Sequence, residues 1–96
     1  MKQAQDIGTL HILNKAPDHP RFMTCLSSLS DQDTLVLIEN AVLALSDADT
    51  ALPRHTVALE ADTEARGLSA TVTGAQQISH AQLVELTEHH SRIISW

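Results

Sequence analysis

Cysteine occurs once in this sequence, at Cys25, and its scarcity excludes several kinds of site. A single thiol cannot form an internal disulfide, which favours a protein of the reducing cytoplasm. It also excludes zinc sites that use two or more cysteines. The six histidines show no HxxxH or HxH spacing, so we expect neither a metal ion nor another cofactor.

Aromatic residues, glycine and positive charge are also scarce. Phe22 and Trp96 are the aromatic residues, whereas readers of single-stranded nucleic acid stack bases on several exposed aromatics. With three glycines and no GxGxxG or GxxxxGK[ST] motif, no loop is built to cradle a pyrophosphate. The net charge is −6 and the cations are scattered singly, so we expect no direct contact with nucleic acid.

No apolar run approaches the ~20 residues that a membrane helix requires. Residues 1–8 are polar, lack the apolar stretch of a signal peptide, and are predicted to form a flexible leader. Residues 9–96 are predicted to form one cytoplasmic domain without a membrane contact. A domain of this size has little room for a core, which favours docking onto other subunits.

Short apolar segments alternate with helical patterns along residues 9–96. Strands are predicted at residues 9–13, 34–38, 55–59, 76–78 and 92–96. Helices are predicted at residues 21–30, 41–45, 62–66 and 79–90. Asp18 is predicted to cap the first helix, Gly67 to end the third, and Ser79 with Gln82 to form a capping box. The alternation predicts an α/β domain whose mainly parallel sheet of about five strands is flanked by helices.

Cys25 is the candidate nucleophile, because a thiolate accepts sulfane sulfur as a persulfide. Lys15, His19 and Arg21 lie nearby in sequence and would supply the positive charge that lowers a thiol pKa. The alternative interpretation is a core cysteine. Cys25 shares the apolar stripe of its predicted helix with Phe22, Leu26 and Leu29.

Three other polar residues lie within or next to predicted strands. His11 alternates with apolar neighbours in the first strand, so we expect a hydrogen-bonded histidine in the core or at an interface. Asp31 and Asp33 fall in a polar turn before the second strand, and we expect them to be solvated caps of neighbouring elements.

Several segments, taken in order, resemble the DsrH/TusB family. Residues 10–17, LHILNKAP, resemble the family's opening LHxxNKSP, and residues 35–42, LVLIENAV, resemble its LLLxEDGV. Residues 57–68, VALEADTEARGL, are similar to VYALxxDxxARGL, and the closing helix, short strand and Trp96 also match. The family's Asp-Gly after the second strand is Asn40-Ala41 here, and Ala16 replaces a serine.

This resemblance implies a DsrE-like fold and a place in a sulfur-relay complex. The complex would be a hexamer holding two copies each of this subunit and of related DsrE/TusD-type and DsrF/TusC-type subunits. It would pass persulfide sulfur to a DsrC/TusE-type acceptor protein. The principal sulfur-accepting cysteine lies on the DsrE/TusD-type subunit, so the resemblance implies a non-catalytic subunit of a sulfurtransferase complex.

Three functional hypotheses follow. The leading one is a mainly structural, TusB-like subunit in a relay that serves 2-thiolation of the tRNA wobble uridine. The second is a DsrH-like subunit of an intracellular sulfur-oxidation complex, with Cys25, which matches a cysteine of DsrH-type members, as a sulfur carrier. The third is a stand-alone binding or regulatory domain, whose ligand would lie at the strand ends near Lys15 and Asn40.

Overall fold

A five-stranded parallel sheet organises the computed structural model, which describes residues 8–47, 49–68 and 75–96. The strands are β1 (Leu10–Leu13), β2 (Thr34–Leu37), β3 (Thr56–Leu59), β4 (Gln76–Ile78) and β5 (Ile93–Ser95). They lie in the order β4-β3-β2-β1-β5, and each neighbouring pair is parallel. The predicted α/β domain is therefore confirmed. The leader predicted at residues 1–8 lies, apart from Gly8, outside the described residues.

Helical segments cover both faces of the sheet, but unequally. They are α1 (Pro20–Ser28), a 3-10 helix (Glu39–Ser46), α2 (Glu60–Ala65) and α3 (His80–His89). The larger buried cluster joins one face of the sheet to α1 and the 3-10 helix, through Leu13, Phe22, Cys25, Leu35, Leu37, Ala41, Val42, Ala44, Leu45 and Ala58. On the other face, Leu10, Val36, Leu59 and Ile78 pack with Leu83 and Leu86 of α3. Since residues of a strand alternate between faces, β1 and β2 contribute to both clusters.

The start of α1 differs in one detail from the sequence prediction. The sequence predicts Asp18 as the cap of this helix, but the N-cap is His19, whose Nδ1 accepts a hydrogen bond from the Arg21 N–H at 3.0 Å. Pro20 occupies the first helical turn, where its missing N–H costs nothing. An imidazole nitrogen therefore takes the place of the expected carboxylate oxygen, one residue later in the chain.

Two other predicted helix ends are confirmed. The Ser79 hydroxyl accepts from the Gln82 N–H at 3.1 Å and the Gln82 side-chain oxygen accepts from the Ser79 N–H at 2.8 Å, which completes the capping box. At the end of α2, Gly67 has a φ of +72°. The Leu68 N–H donates to the Thr63 carbonyl at 2.9 Å, as in a Schellman motif.

The turn after β2 shows how the chain accommodates Asn40-Ala41. Its left-handed residue is Glu39, with a φ of 50°, whereas Ala41 has no positive φ and is fully buried. The Glu39 N–H is held by a hydrogen bond to Asp62 Oδ2 at 2.7 Å. A glycine at position 41 is therefore not needed for this turn.

Gly8 lies where the chain passes very close to the turn before β2. Its φ is +78°, and a Cβ built there would lie 2.3 Å from the Gln32 carbonyl oxygen and 2.7 Å from an Asp33 oxygen. Both the backbone conformation and the lack of space therefore require glycine.

We expect Gly8→Ala to destabilise the fold more than Gly67→Ala. Gly67 has a similar φ, but nothing lies within 4 Å of the position that a Cβ would occupy there. The matched variant Gly67→Ala therefore introduces only the strain of the left-handed backbone conformation, about 1 kcal/mol. Gly8→Ala adds a backbone collision and should lower the free energy of unfolding by about 2–3 kcal/mol. Urea unfolding of both variants measures the difference, and equal losses would contradict the close approach at Gly8.

Candidate functional site

Asp33 lies immediately before β2, and its carboxylate collects four hydrogen bonds. Because Leu10 is paired with Thr34, Thr9 lies beside Asp33, and its N–H donates to Oδ1 at 2.9 Å. The Ser30 N–H donates to Oδ2 at 3.1 Å and the Ser30 hydroxyl to Oδ1 at 2.9 Å. The fourth donor is His11 Nε2, which lies 2.9 Å from Oδ2. The carboxylate thus joins the starts of β1 and β2 to the turn after α1.

His11 connects this carboxylate to Trp96, which follows β5. The indole N–H of Trp96 donates to His11 Nδ1 at 3.0 Å, and the two rings stack with centroids 6.1 Å apart. An indole nitrogen can only donate, so Nδ1 must accept and the proton of the neutral imidazole lies on Nε2. That proton is donated to Asp33. His11 is 2% exposed, which confirms the expectation of a buried, hydrogen-bonded histidine.

The environment of Asp33 holds it in the charged form. Burial acts to raise the pKa of this carboxyl, but hydrogen bonds from Thr9, Ser30 and His11 outweigh it and lower the pKa to about 2. The side chain is 9% exposed. Two carboxylate oxygens offer about four acceptor positions, and four donors occupy them. Asp33 therefore has no acceptor position left for a substrate, and the network serves to orient His11 and Trp96.

A surface cavity of about 420 Å³ lies over this network. His11 and Asp33 form part of its wall, and Arg92, Ile94 and Trp96 form another part. The cavity thus brings residues that precede β2 together with β5 and the residues on either side of β5. These two parts of the chain are far apart in the sequence.

Cys25 lies on the inner face of α1. Its side chain is fully buried in the larger core cluster, and burial raises the pKa of the thiol to about 11. Two of the three groups that were expected to supply positive charge are engaged elsewhere, since Lys15 bonds Trp96 and His19 caps α1, and the third, Arg21, is exposed on the surface. At pH 7 such a thiol is ionised in only about one molecule in 10,000, against a few per cent for a free cysteine. In this conformation Cys25 packs as an apolar residue, and its role as a sulfur carrier stays a prediction.

The strand ends assigned to a ligand by the third hypothesis make hydrogen bonds within the chain. Lys15 Nζ donates to the Trp96 carbonyl at 2.5 Å and to Asn14 Oδ1 at 2.6 Å, where the strand order reverses between β1 and β5. After β2, the Asn40 side-chain oxygen accepts from Arg66 Nε at 3.2 Å and from Nη2 at 3.1 Å. These side chains hold strand ends together.

Within residues 8–47, 49–68 and 75–96, no group of three or more His, Cys, Asp or Glu residues is arranged to hold a metal ion. No helix in that part of the chain has the length and apolar character needed to cross a membrane.

Sequence reasoning missed two members of the His11–Asp33–Trp96 network. The sequence pattern favours a solvated cap at Asp33, but this residue is a nearly buried carboxylate bonded to His11. Trp96 stands out in the sequence as a match to the family and not as a partner of His11. One signal was present: Thr9 and Asp33 each lie at the start of a predicted strand or just before it, so parallel pairing of these strands brings them together.

We expect Asp33→Asn to remove acid sensitivity as well as stability. The folded pKa lies below the ordinary 3.8, so the stabilisation is complete above about pH 5 and is lost as the pH falls through 3.8 towards 2. The difference between the ordinary and the folded pKa of Asp33 corresponds to about 2 kcal/mol of unfolding free energy at pH 7. Urea unfolding at pH 7 and pH 3 should show this loss and a flatter pH dependence in the variant. Asp31→Asn, at an exposed neighbouring position, is the control and should change little.

Comparison with known proteins identifies the family. The model of the family described as DsrH like protein matches residues 15–93. The Protein TusB of Pectobacterium parmentieri is 30% identical over 94 residues, covering 91% of this chain and 99% of that protein. The Protein TusB of Cronobacter sakazakii is 33% identical with the same coverage.

A solved structure agrees with the fold. The solution NMR structure of protein Tm0979 from Thermotoga maritima has a TM-score of 0.69 to this chain and is 26% identical to it. The match covers 84% of this chain and 92% of that one. Because the family model spans most of the sequence and the relatives match over nearly their whole length, the chain belongs to the DsrH family.

Proposed function

We propose that this chain is a mainly structural subunit of a cytoplasmic sulfur-relay complex that serves 2-thiolation of the tRNA wobble uridine. Its partners would be DsrE/TusD-type and DsrF/TusC-type subunits, and the sulfur would leave through a DsrC/TusE-type acceptor. In each relay step an acceptor thiolate takes the sulfane sulfur of a donor persulfide, and the donor is left as a thiolate. The names of the TusB relatives favour the tRNA branch.

The observation that carries the structural role is the burial of the single thiol. Cys25 is 0% exposed and its pKa is raised to about 11, the opposite of what sulfur transfer requires. A subunit whose only thiol is shielded contributes to a relay by holding partners in place.

The surface of the chain supports the same role. Its net charge of −6 and scattered cations are unsuited to a phosphate backbone, so tRNA would be handled by other members of the relay. Large apolar side chains remain exposed on elements other than β5, namely Met23, Leu43 and Val84. Such side chains are ready to be covered by other subunits.

Assembly and tRNA modification test this proposal together. Co-expression with the DsrE/TusD-type and DsrF/TusC-type subunits should give a complex that survives gel filtration. In cells lacking this chain, mass spectrometry should show that 2-thiouridine at the wobble position is lost and that re-expression restores it. If the chain does not bind these two related subunits, called the sister subunits below, the structural role is contradicted. Unchanged thiolation would contradict the tRNA branch.

A second candidate is that Cys25 itself carries sulfur in a DsrH-like sulfur-oxidation complex. It is supported by the presence of a thiol within the matched residues 15–93. In that case α1 would have to open to expose the thiol, since Cys25 is buried beneath it.

Removal of the thiol separates the two candidates. Cys25→Ser places a hydroxyl in the core, so Cys25→Ala serves as the matched control for packing. For a structural subunit, both variants should assemble with the sister subunits and transfer labelled persulfide sulfur at the wild-type rate. If transfer falls at least tenfold in both variants while assembly is kept, Cys25 is a carrier and the structural proposal for this residue is wrong.

A further inference from the structure

β5 is a short edge strand with exposed apolar side chains. Ile93 and Ile94 are 44% and 43% exposed, and the strand contains no charged residue, proline or glycine. The opposite edge strand, β4, has Gln76 and Gln77 instead. Natural proteins protect exposed edges with very short strands, charges, prolines or bulges. β5 has only three residues but none of the other protections, so its apolar edge is open to a pairing partner.

The backbone of β5 shows which groups are available for pairing. The Arg92 carbonyl accepts from the Leu10 N–H at 2.9 Å, and the Trp96 N–H donates to the Ile12 carbonyl at 2.8 Å. Arg92 and Trp96 therefore direct hydrogen-bonding groups towards β1. Since successive residues of a strand alternate in direction, Ile93 and Ser95 direct their N–H and C=O groups away from the sheet.

The side chains of this edge form an ordered row on one face. Arg92, Ile94 and Trp96 line the same cavity, and His11 holds the Trp96 ring through a hydrogen bond and stacking. Arg92 is exposed and makes no ion pair with any residue that the structure describes. The row thus consists of an unpaired cation, an exposed isoleucine and an aromatic ring that is already ordered.

We propose that β5 pairs antiparallel with β5 of a second copy of this chain, about a two-fold axis that passes beside Ile94. In this register Ile94 faces its own copy, and Ile93 exchanges backbone hydrogen bonds with Ser95 of the other chain. Arg92 of each chain lies opposite Trp96 of the other. The two sheets join into one continuous sheet.

A second copy of the chain fits this edge because the row is self-complementary. Reversal of the order Arg92, Ile94, Trp96 places a guanidinium on an indole at both ends and isoleucine on isoleucine at the centre. The ordered Trp96 ring loses little side-chain entropy on binding the cation. Residues 89–96 contain no acidic side chain, so the negative charge of the two chains is not brought together at this edge.

This pairing is separate from the proposed function, because it needs no sister subunit. A short strand pair buries less surface than the ~1,200 Å² of a standard interface, so we expect a weak dimer with a Kd of about 1–100 μM. Such a contact becomes strong when other subunits hold the two copies together.

Charge substitutions at Ile94 test the axis. In the paired strands the two copies of residue 94 lie with their Cα atoms about 4.5 Å apart, so Ile94→Asp and Ile94→Lys each bring two like charges together. Each variant should weaken the dimer at least tenfold, as measured by sedimentation velocity of the full chain. An equimolar mixture of the two variants should restore a dimer. Met23→Asp, at a 57% exposed position of α1, is the matched control and should dimerise like the wild type. Circular dichroism establishes that each variant is folded.

Cysteine pairing tests the register even if a charged variant fails to fold. With oxidised glutathione, Ile94→Cys should form a disulfide-linked dimer, whereas Ile93→Cys should not, because residue 93 faces residue 95. A mixture of Ile93→Cys and Ser95→Cys should form the linked dimer again. The wild-type chain is the control, since its Cys25 is buried.

Three results would overturn the proposal. One is a wild-type chain that stays monomeric up to about 500 μM, well above the expected Kd. Another is a dimer that Ile94→Asp leaves unchanged. The third is a monomeric chain in which Ile94→Asp abolishes assembly with the sister subunits, which would assign β5 to a different partner. Loss of the self-pairing leaves the tRNA-thiolation experiment unaffected, so the two proposals fail separately.

Discussion

The Asp33 carboxylate is the contact on which the amino-terminal half of the sheet and its β5 edge depend. It accepts the Thr9 N–H before β1, both donors of Ser30 after α1, and His11 within β1. Through His11 it also fixes the indole of Trp96 beyond β5. One nearly buried charge therefore connects three neighbouring strands. The same arrangement requires glycine at position 8, because a side chain there would displace Asp33 and Gln32.

A carboxylate with every acceptor position filled contributes structure and no chemistry. In this conformation the thiol of Cys25 is enclosed by the core, and the ammonium group of Lys15 bonds Asn14 and Trp96. In this conformation these three side chains contribute to holding the fold together. The groups of this DsrH-family chain that remain open to other molecules lie on its surface.

The interior network and the β5 edge are physically connected. His11 orients Trp96 by one hydrogen bond and one ring contact, and Trp96 stands at the end of the exposed row that begins with Arg92. An aromatic ring that is ordered before binding loses little entropy when it meets a partner. Through His11, the charge of Asp33 therefore also orders the Trp96 ring at the outer edge where we propose pairing.

The sequence by itself determined the alternation of strands and helices, the capping box at Ser79, the turn at Gly67 and the apolar stripe that carries Cys25. These features depend on periodic burial and on hydrogen bonds between residues a few positions apart. Only the tertiary structure decided that the Asp33 side chain is nearly buried and that His11 joins it to Trp96, which lies 85 positions after His11. Those contacts exist because β1 lies between β2 and β5 in parallel register, and strand order is a property of the whole chain.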